Sequence, residues 1–156
     1  MSELTISEVT RDNWRDTLLL GVYPEQQRFI SDVVPIAAIA LAKAYIRPGG
    51  LLWRPYAFYD DRTMIGFMML AYEPDNTADC WMFHFFIDVA HQGKGYGKQA
   101  LLRLLDFLKQ ECPACCALLL TVHPENMRAQ RLYRGIGFQP TGEEREGEPI
   151  YRLLLR

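Results

Sequence analysis

The chain has 156 residues, of which 49% are hydrophobic and 23% charged, and its formal net charge is -2. That length fits one domain able to bury ~70% of the surface its unfolded form exposes, and the composition is that of an ordinary globular protein. The charge balance gives no reason to expect a nucleic-acid partner, and no apolar stretch reaches the ~20 residues of a membrane span: residues 33–46 are interrupted by Pro35 and Lys43.

The N-terminal stretch MSELTISEVTRDNW lacks the basic start and apolar run of a secretory signal, so the expected location is the cytoplasm. Residues 4–9 alternate apolar and polar like a half-buried strand. Asp12 is placed to cap a first helix running through Leu20, and a second helix is expected over 31–46, broken by Pro48-Gly49-Gly50. Strands at 53–59 and 64–72, joined by Asp60-Asp61-Arg62-Thr63, read as a hairpin, and another strand covers about 79–89.

From there the pattern changes. Over 97–110, Ala100, Leu101, Leu104, Leu105 and Leu108 share one helical face, opposite Lys98, Arg103, Asp106 and Lys109. Residues 117–122 form a short unbroken apolar strand, as expected where both faces are covered. A short helix over 126–135 ends at Gly137, and strands near 138–141 and 149–155 complete the chain. The order predicts one domain, 1–156, of α+β class: a mixed, mostly antiparallel sheet with one parallel crossover near its middle.

The Cys112-Pro113-Ala114-Cys115 spacing, with Cys116 beside it, closes a helix instead of opening one after a strand, which a redox motif would do. It has no second ligand pair, and His84, His91 and His123 are scattered, so reduced thiols and no metal are expected.

The chemistry concentrates where the strand through Phe86, Ile87 and Val89 enters Gln92-Gly93-Lys94-Gly95-Tyr96-Gly97-Lys98 and a helix begins. The first N–H groups of a helix lack internal partners and carry partial positive charge, and glycines let the backbone approach a ligand closely. That combination suits a phosphate or pyrophosphate, with Lys94 and Lys98 adding charge. Gly95-Tyr96-Gly97-Lys98-Gln99-Ala100 also satisfies a dinucleotide fingerprint, but the acidic residue required after the next strand is absent: that strand ends Thr121-Val122-His123, and Glu125 comes late. A P-loop fails because Gln99 follows Gly97-Lys98. A plain helix-entry turn remains open at this point.

A second element narrows these readings. Asn126, Ala129 and Tyr133 share one helical face directly after the next strand, with Tyr133 two turns, or ~10 Å, beyond Asn126. With these residues the chain resembles the GNAT acetyltransferase superfamily. Gln92-x-x-Gly95-x-Gly97 is similar to its pyrophosphate signature, and Asn126-x-x-Ala129-x-x-Leu132-Tyr133 before Gly137-Phe138 to its second cofactor segment. Phe85-Phe86-Ile87-Asp88 and Gln26/Gln27-x-Phe29-Ile30 look like bacterial spermine/spermidine acetyltransferases.

The resemblance implies acetyl-CoA as co-substrate and a small-molecule amine, with a polyamine as first guess, as acceptor. It implies that the fourth and fifth strands splay to admit the pantetheine arm against Phe86, Ile87 and Val89. Gln92 to Lys98 would hold the pyrophosphate, the Asn126 side chain would bond the pantetheine, and Tyr133 would protonate the departing thiolate. The strand carboxylate of many relatives is not evident, which leaves His84 as candidate base and Glu25 and Asp32 as candidate amine-binding acids. A CoA-binding protein without catalysis is the alternative. Homodimers are common in the family, though no residue here fixes one.

Overall fold

A computed structural model describes residues 3–156, so the first two residues of the expected 1–156 domain lie outside it. Seven strands form one sheet in the order β1-β2-β3-β4-β5-β7-β6. They are β1 (Leu4–Glu8), β2 (Leu52–Asp60), β3 (Thr63–Glu73), β4 (Asn76–Ile87), β5 (Ala117–Thr121), β6 (Gln139–Arg145) and β7 (Glu148–Leu154). All neighbours pair antiparallel except β4 and β5. The expected mixed sheet with a single parallel pair is therefore present.

Helix α4 (Tyr96–Glu111) crosses over between β4 and β5 and buries Ala100, Leu101, Leu104 and Leu108 against one face of the sheet, as its period requires. Helix α5 (Met127–Ile136) follows β5 on the same side, burying Tyr133 beside Phe138. The opposite face is covered by the N-terminal helices, with Ile36, Ala37 and Ala40 packed on Trp53, Phe67, Met69 and Phe86.

Those N-terminal helices differ from expectation. The first, α1, spans only Trp14–Thr17, and Asp12 does not cap it. Asn13 stands at that position, but its side chain is spent on the turn: Thr10 N–H donates to Oδ1 at 2.7 Å, and Nδ2 donates to the Glu8 carbonyl. The helix expected over 31–46 begins only at Ile36, and a further helix lies before it, where none was expected. α2 (Pro24–Ile30) opens with Pro24 in its first turn, where a missing N–H costs nothing, and Ser31 ends it. α3 (Ile36–Ile46) starts only after Pro35, whose ring disfavours continuation of a helix through it. The cysteines match the expected picture: all four are free thiols, and Cys112, Cys115 and Cys116 lie in the connection from α4 to β5.

One irregularity positions the site. Phe86 pairs with Phe67 and Phe83 with Met69, so β4 spends three steps where β3 spends two. The extra residue makes a β-bulge, with His84 at a left-handed φ of 56°. Past it, β4 has lost β5: their pairing covers only Asp79↔Ala117, Cys80↔Leu118 and Trp81↔Leu119.

Candidate active site

A cleft of about 520 Å³ opens where β4 and β5 part. Phe85, Phe86 and Ile87 form one wall, Asn126, Ala129, Leu132 and Tyr133 of the β5–α5 segment the other, and Gln92, Gly93, Gly95, Tyr96, Gly97 and Lys98 the end; Lys94, also expected there, does not line it.

The end wall is backbone. Gly93 and Gly95 hold φ of +80° and +81°, values that L side chains rarely adopt, which explains their glycines. The first helical hydrogen bond of α4 runs from Gln99 N–H to the Gly95 carbonyl at 3.3 Å, so the preceding N–H groups have no helical partner. Gly97 is different: it lies inside the helix, and a Cβ there meets only Leu132 Cδ2 at 3.4 Å. Tyr96 turns its hydroxyl to Asp60 Oδ2 at 2.5 Å and so fixes the turn to the β2–β3 hairpin. That bond holds the Tyr96 proton, raising its pKa.

Gln92 is more than a turn residue. Its Nε2 donates to the Ile87 carbonyl at 3.0 Å, and it exchanges two amide hydrogen bonds with Gln26, at 3.0 and 2.9 Å. Helix α2 is thereby tied to the glycine turn. At the opposite wall, Arg28 donates to Glu125 at 2.7 Å, and Phe29 packs on His123 with centroids 5.1 Å apart. Gln26, Phe29 and Ile30 consequently line the cleft, with α2 bound to both of its walls. The periodicity of so short a helix gave no warning of this bridging role.

On the far wall, Asn126 caps α5, its Oδ1 accepting from Ala129 N–H at 3.2 Å. Its amide nitrogen makes no hydrogen bond to another described residue. Tyr133 is buried with its ring edge-on to Phe138 at 5.6 Å, and burial pushes its phenol pKa up. A group so shifted stays protonated at neutral pH and can give a proton only to a strong acceptor.

Four further expected site residues, Val89, His84, Glu25 and Asp32, stand elsewhere. Val89 is in a 3-10 turn after β4, its N–H committed to the Gly21 carbonyl at 2.8 Å, and it does not line the cleft. The neighbouring Asp88 carboxylate, unnoticed in the sequence, accepts from Gly21 N–H at 2.9 Å and pins the same loop. His84 also lies outside the cleft lining, and both ring nitrogens are engaged: Nδ1 with the Ile30 carbonyl at 3.1 Å, Nε2 with Lys43 Nζ at 2.9 Å. A carbonyl only accepts, so Nδ1 carries the hydrogen and Nε2 accepts from the ammonium. Burial and the Lys43 charge lower the His84 pKa to about 4. A histidine so held has no free lone pair for an incoming amine. Glu25 is exposed in the first turn of α2 and does not line the cleft, while Asp32 is exposed near the Lys43–His84 pair, whose charges it favours.

Among the described residues no cluster of three or more His, Cys, Asp or Glu side chains is arranged to hold a metal, and no helix is long and apolar enough to cross a membrane.

Comparison with known proteins agrees with this geometry. Residues 12–138 match the acetyltransferase (GNAT) family. The spermine/spermidine N(1)-acetyltransferase of Bacillus subtilis (strain 168) is 33% identical over 145 residues, covering 90% of each chain. Among solved structures, a Vibrio cholerae spermidine N-acetyltransferase in complex with CoA and spermine superposes with a TM-score of 0.73 at 19% identity, over 98% of this chain and 96% of that one. A Salmonella typhimurium acetyltransferase that modifies the N-terminal serine of ribosomal protein L7/L12 reaches 0.71 at 14% identity, over 99% and 96%. With a family match over residues 12–138 and a relative 33% identical over 90% of both chains, the chain belongs to the GNAT family of acetyltransferases.

Proposed function

We propose that this chain transfers the acetyl group of acetyl-CoA to a primary amine of a polyamine, by direct attack within a ternary complex. The observation that carries the proposal is the cleft itself, which joins the bare N-terminus of α4 to the Tyr133 hydroxyl through the gap between β4 and β5. Polyamine specificity is supported by the Bacillus subtilis relative, a spermine/spermidine acetyltransferase similar along 90% of both chains. We read residues 1–156 as one catalytic domain acting in the cytoplasm, where the co-substrate is available.

The residues present fit a CoA-type ligand. Gly93 and Gly95 have open space where a Cβ would stand, and the N–H groups opening α4 suit a pyrophosphate, with Lys98 beside them. Phe86 and Ile87 supply a strand edge without a β5 partner, able to bond an extended arm. One N–H of that edge would polarise the thioester carbonyl, a contribution of ~3–4 kcal/mol to lowering the barrier in comparable oxyanion sites. Asn126 keeps its amide nitrogen for the same arm, and Ala129 leaves room for it.

Tyr133 holds the proton that the departing thiolate takes. Its raised pKa is no obstacle, since a thiolate released beside a buried phenol is a strong acceptor in that dry setting. Attack needs a neutral amine, and a free alkylamine, judged from lysine, has a pKa of ~10. With His84 engaged on both nitrogens, we assign deprotonation to water at the open side of the cleft and not to that imidazole.

A CoA-release assay against polyamines, aminoglycosides, amino acids and peptides tests the proposal, with fastest turnover expected on polyamines. No turnover on any amine, combined with no acetyl-CoA binding by calorimetry, would sink it. Tight binding without turnover would instead point to a CoA sensor.

A further inference from the structure

A second groove, of about 580 Å³, lies on the α3 side of the sheet. Trp53 and Trp81 line it, with Phe83 between them: Trp81 stacks on Phe83 at 6.0 Å and 18°, and Phe83 meets Trp53 at 5.1 Å. Two of the chain's own cations rest on these rings. Lys43 Nζ is 4.9 Å from the Trp53 centroid and 5.5 Å from that of Phe83. The Arg145 guanidinium is 5.1 Å from Trp81 and 5.4 Å from Phe83.

Neither cation has a carboxylate within 4.0 Å among the described residues, although Glu73, Asp79 and Glu146 line the same groove. The negative ring faces hold both positive charges, while His84 Nε2 also accepts from Lys43 and Glu146 favours the Lys43 charge from farther away. Aromatic faces backed by carboxylates are the chemistry that recognises alkylammonium groups.

The groove and the cleft flank one aromatic cluster on the same face of β4. The bulge places Phe83 and His84 on the same side, and Phe86, which lines the cleft, packs in the same cluster as Trp53, Trp81 and Phe83. From Phe86 to Trp81 the strand spans roughly 15 Å at ~3.3 Å per residue. An extended linear tetraamine, with a similar rise for every three chain atoms, covers that distance.

We propose that this groove is the distal half of the acceptor site, a subsite for the far ammonium groups of a linear polyamine, with Lys43 and Arg145 occupying its cation positions while it is empty. The proposal rests on the polyamine reading of the cleft. Exchange of one cation for another on a ring face largely preserves the attraction, so the incoming ammonium loses little by displacing the resident one. Arg145 is the residue suited to leave. It is exposed at the end of β6, directly before the turn residues Glu146 and Gly147, both at positive φ. With it gone, three carboxylates face a single fixed cation, and burial already opposes charge on Lys43.

The same two cations could instead clasp a carboxylate, and that alternative makes the opposite prediction. Steady-state KM values for propylamine, putrescine, spermidine and spermine, at saturating acetyl-CoA, separate them in the parent enzyme, Arg145→Gln and Trp81→Leu. A polyammonium subsite gives a KM that falls with chain length. Trp81→Leu raises the spermine KM about tenfold while moving that of propylamine less than about twofold. Arg145→Gln, at an exposed site that does not endanger folding, lowers the spermine KM by about threefold.

An unchanged or raised spermine KM in Arg145→Gln overturns the proposal and, if raised, favours an anionic group in the groove. Equal effects of Trp81→Leu on propylamine and spermine overturn it as well, provided the acetyl-CoA KM shows the variant intact; if that KM has moved, Arg145→Gln decides alone. No polyamine turnover by the parent enzyme removes the function proposal and this one together. Turnover with a KM indifferent to chain length removes only the groove.

Discussion

The environment of His84 makes a quantitative prediction that also bears on the base. Its pKa falls from 6.5 to about 4 through burial and the Lys43 charge, against weaker opposing effects of the Ile30 carbonyl and Asp32. Because the folded value lies below the unfolded one, the neutral histidine supports the fold fully above pH ~6.5. That support is lost as pH falls through the window from ~6.5 to ~4, where the unfolded chain takes up a proton the native one refuses. At pH 4.5 the loss amounts to about 2.5 kcal/mol relative to pH 7.5.

His84→Asn isolates this effect. Asparagine tolerates the left-handed φ of 56°, and its amide can donate to the Ile30 carbonyl and accept from Lys43, but it does not titrate. Urea denaturation at both pH values should show the parent losing about 2.5 kcal/mol more than the variant, or about 5–10 °C in relative Tm for a chain of this size. A difference between the two proteins that stays constant from pH 7.5 to 4.5 refutes the reasoning. So would an acid limb near pH 6.5 in kcat/KM that disappears in His84→Asn, since that limb requires an imidazole titrating freely.

Three further outcomes follow from the cleft. Tyr133→Phe keeps the buried ring and its contact with Phe138 but removes the proton, so kcat should fall at least about tenfold, with the acetyl-CoA Kd from calorimetry largely unchanged. An unaltered kcat removes Tyr133 from the chemistry. Gly95→Ala forces a side chain into φ +81° and should cost about 1–2 kcal/mol of stability, while Gly97→Ala, helical and facing only Leu132 at 3.4 Å, should be neutral or gain up to ~1 kcal/mol in the same melts. Equal losses would show that strain is not what selects glycine at 95. Gln92→Leu removes the bond to the Ile87 carbonyl and both bonds to Gln26, so acetyl-CoA affinity measured by calorimetry should weaken about tenfold as the turn loses its anchor. Unchanged affinity would mean that the turn holds its shape without α2.

The parts of the fold that were legible in the sequence are those governed by local periodicity. Alternation marked the β2–β3 hairpin, the apolar spacing of Ala100 to Leu108 marked α4, and the glycines marked the turn where backbone geometry alone excludes other residues. The glycine turn could be read because its requirements are backbone requirements. Asn13 outcompeted Asp12 through a hydrogen bond to Thr10 that no propensity encodes. Helix α2 was missed although Pro24 marks its start, and the next helix was expected to begin at Ser31 because the apolar run around Pro35 masked its true start at Ile36. Val89 reads as strand by composition, but its N–H is captured by Gly21, sixty-eight positions away in sequence. Gln26 and Arg28 had no local signature, because their roles exist only once α2 meets Gln92 and Glu125.

The bulge at His84 links these observations. A non-glycine residue at positive φ costs of order 1–3 kcal/mol unless its surroundings hold it there. Here the Ile30 carbonyl from the end of α2 and Lys43 from α3 grip both ring nitrogens. The inserted residue ends the regular β3–β4 register, and just before it β4 parts from β5. It also turns Phe83 toward the same face as Phe86, so that both pack in one aromatic cluster between the groove and the cleft. A histidine placed to hold open a strand is not placed to receive protons, and the two roles make conflicting demands on one lone pair. The histidine that suggested a base at position 84 is thus held as part of the architecture that makes the cleft, with both ring nitrogens engaged.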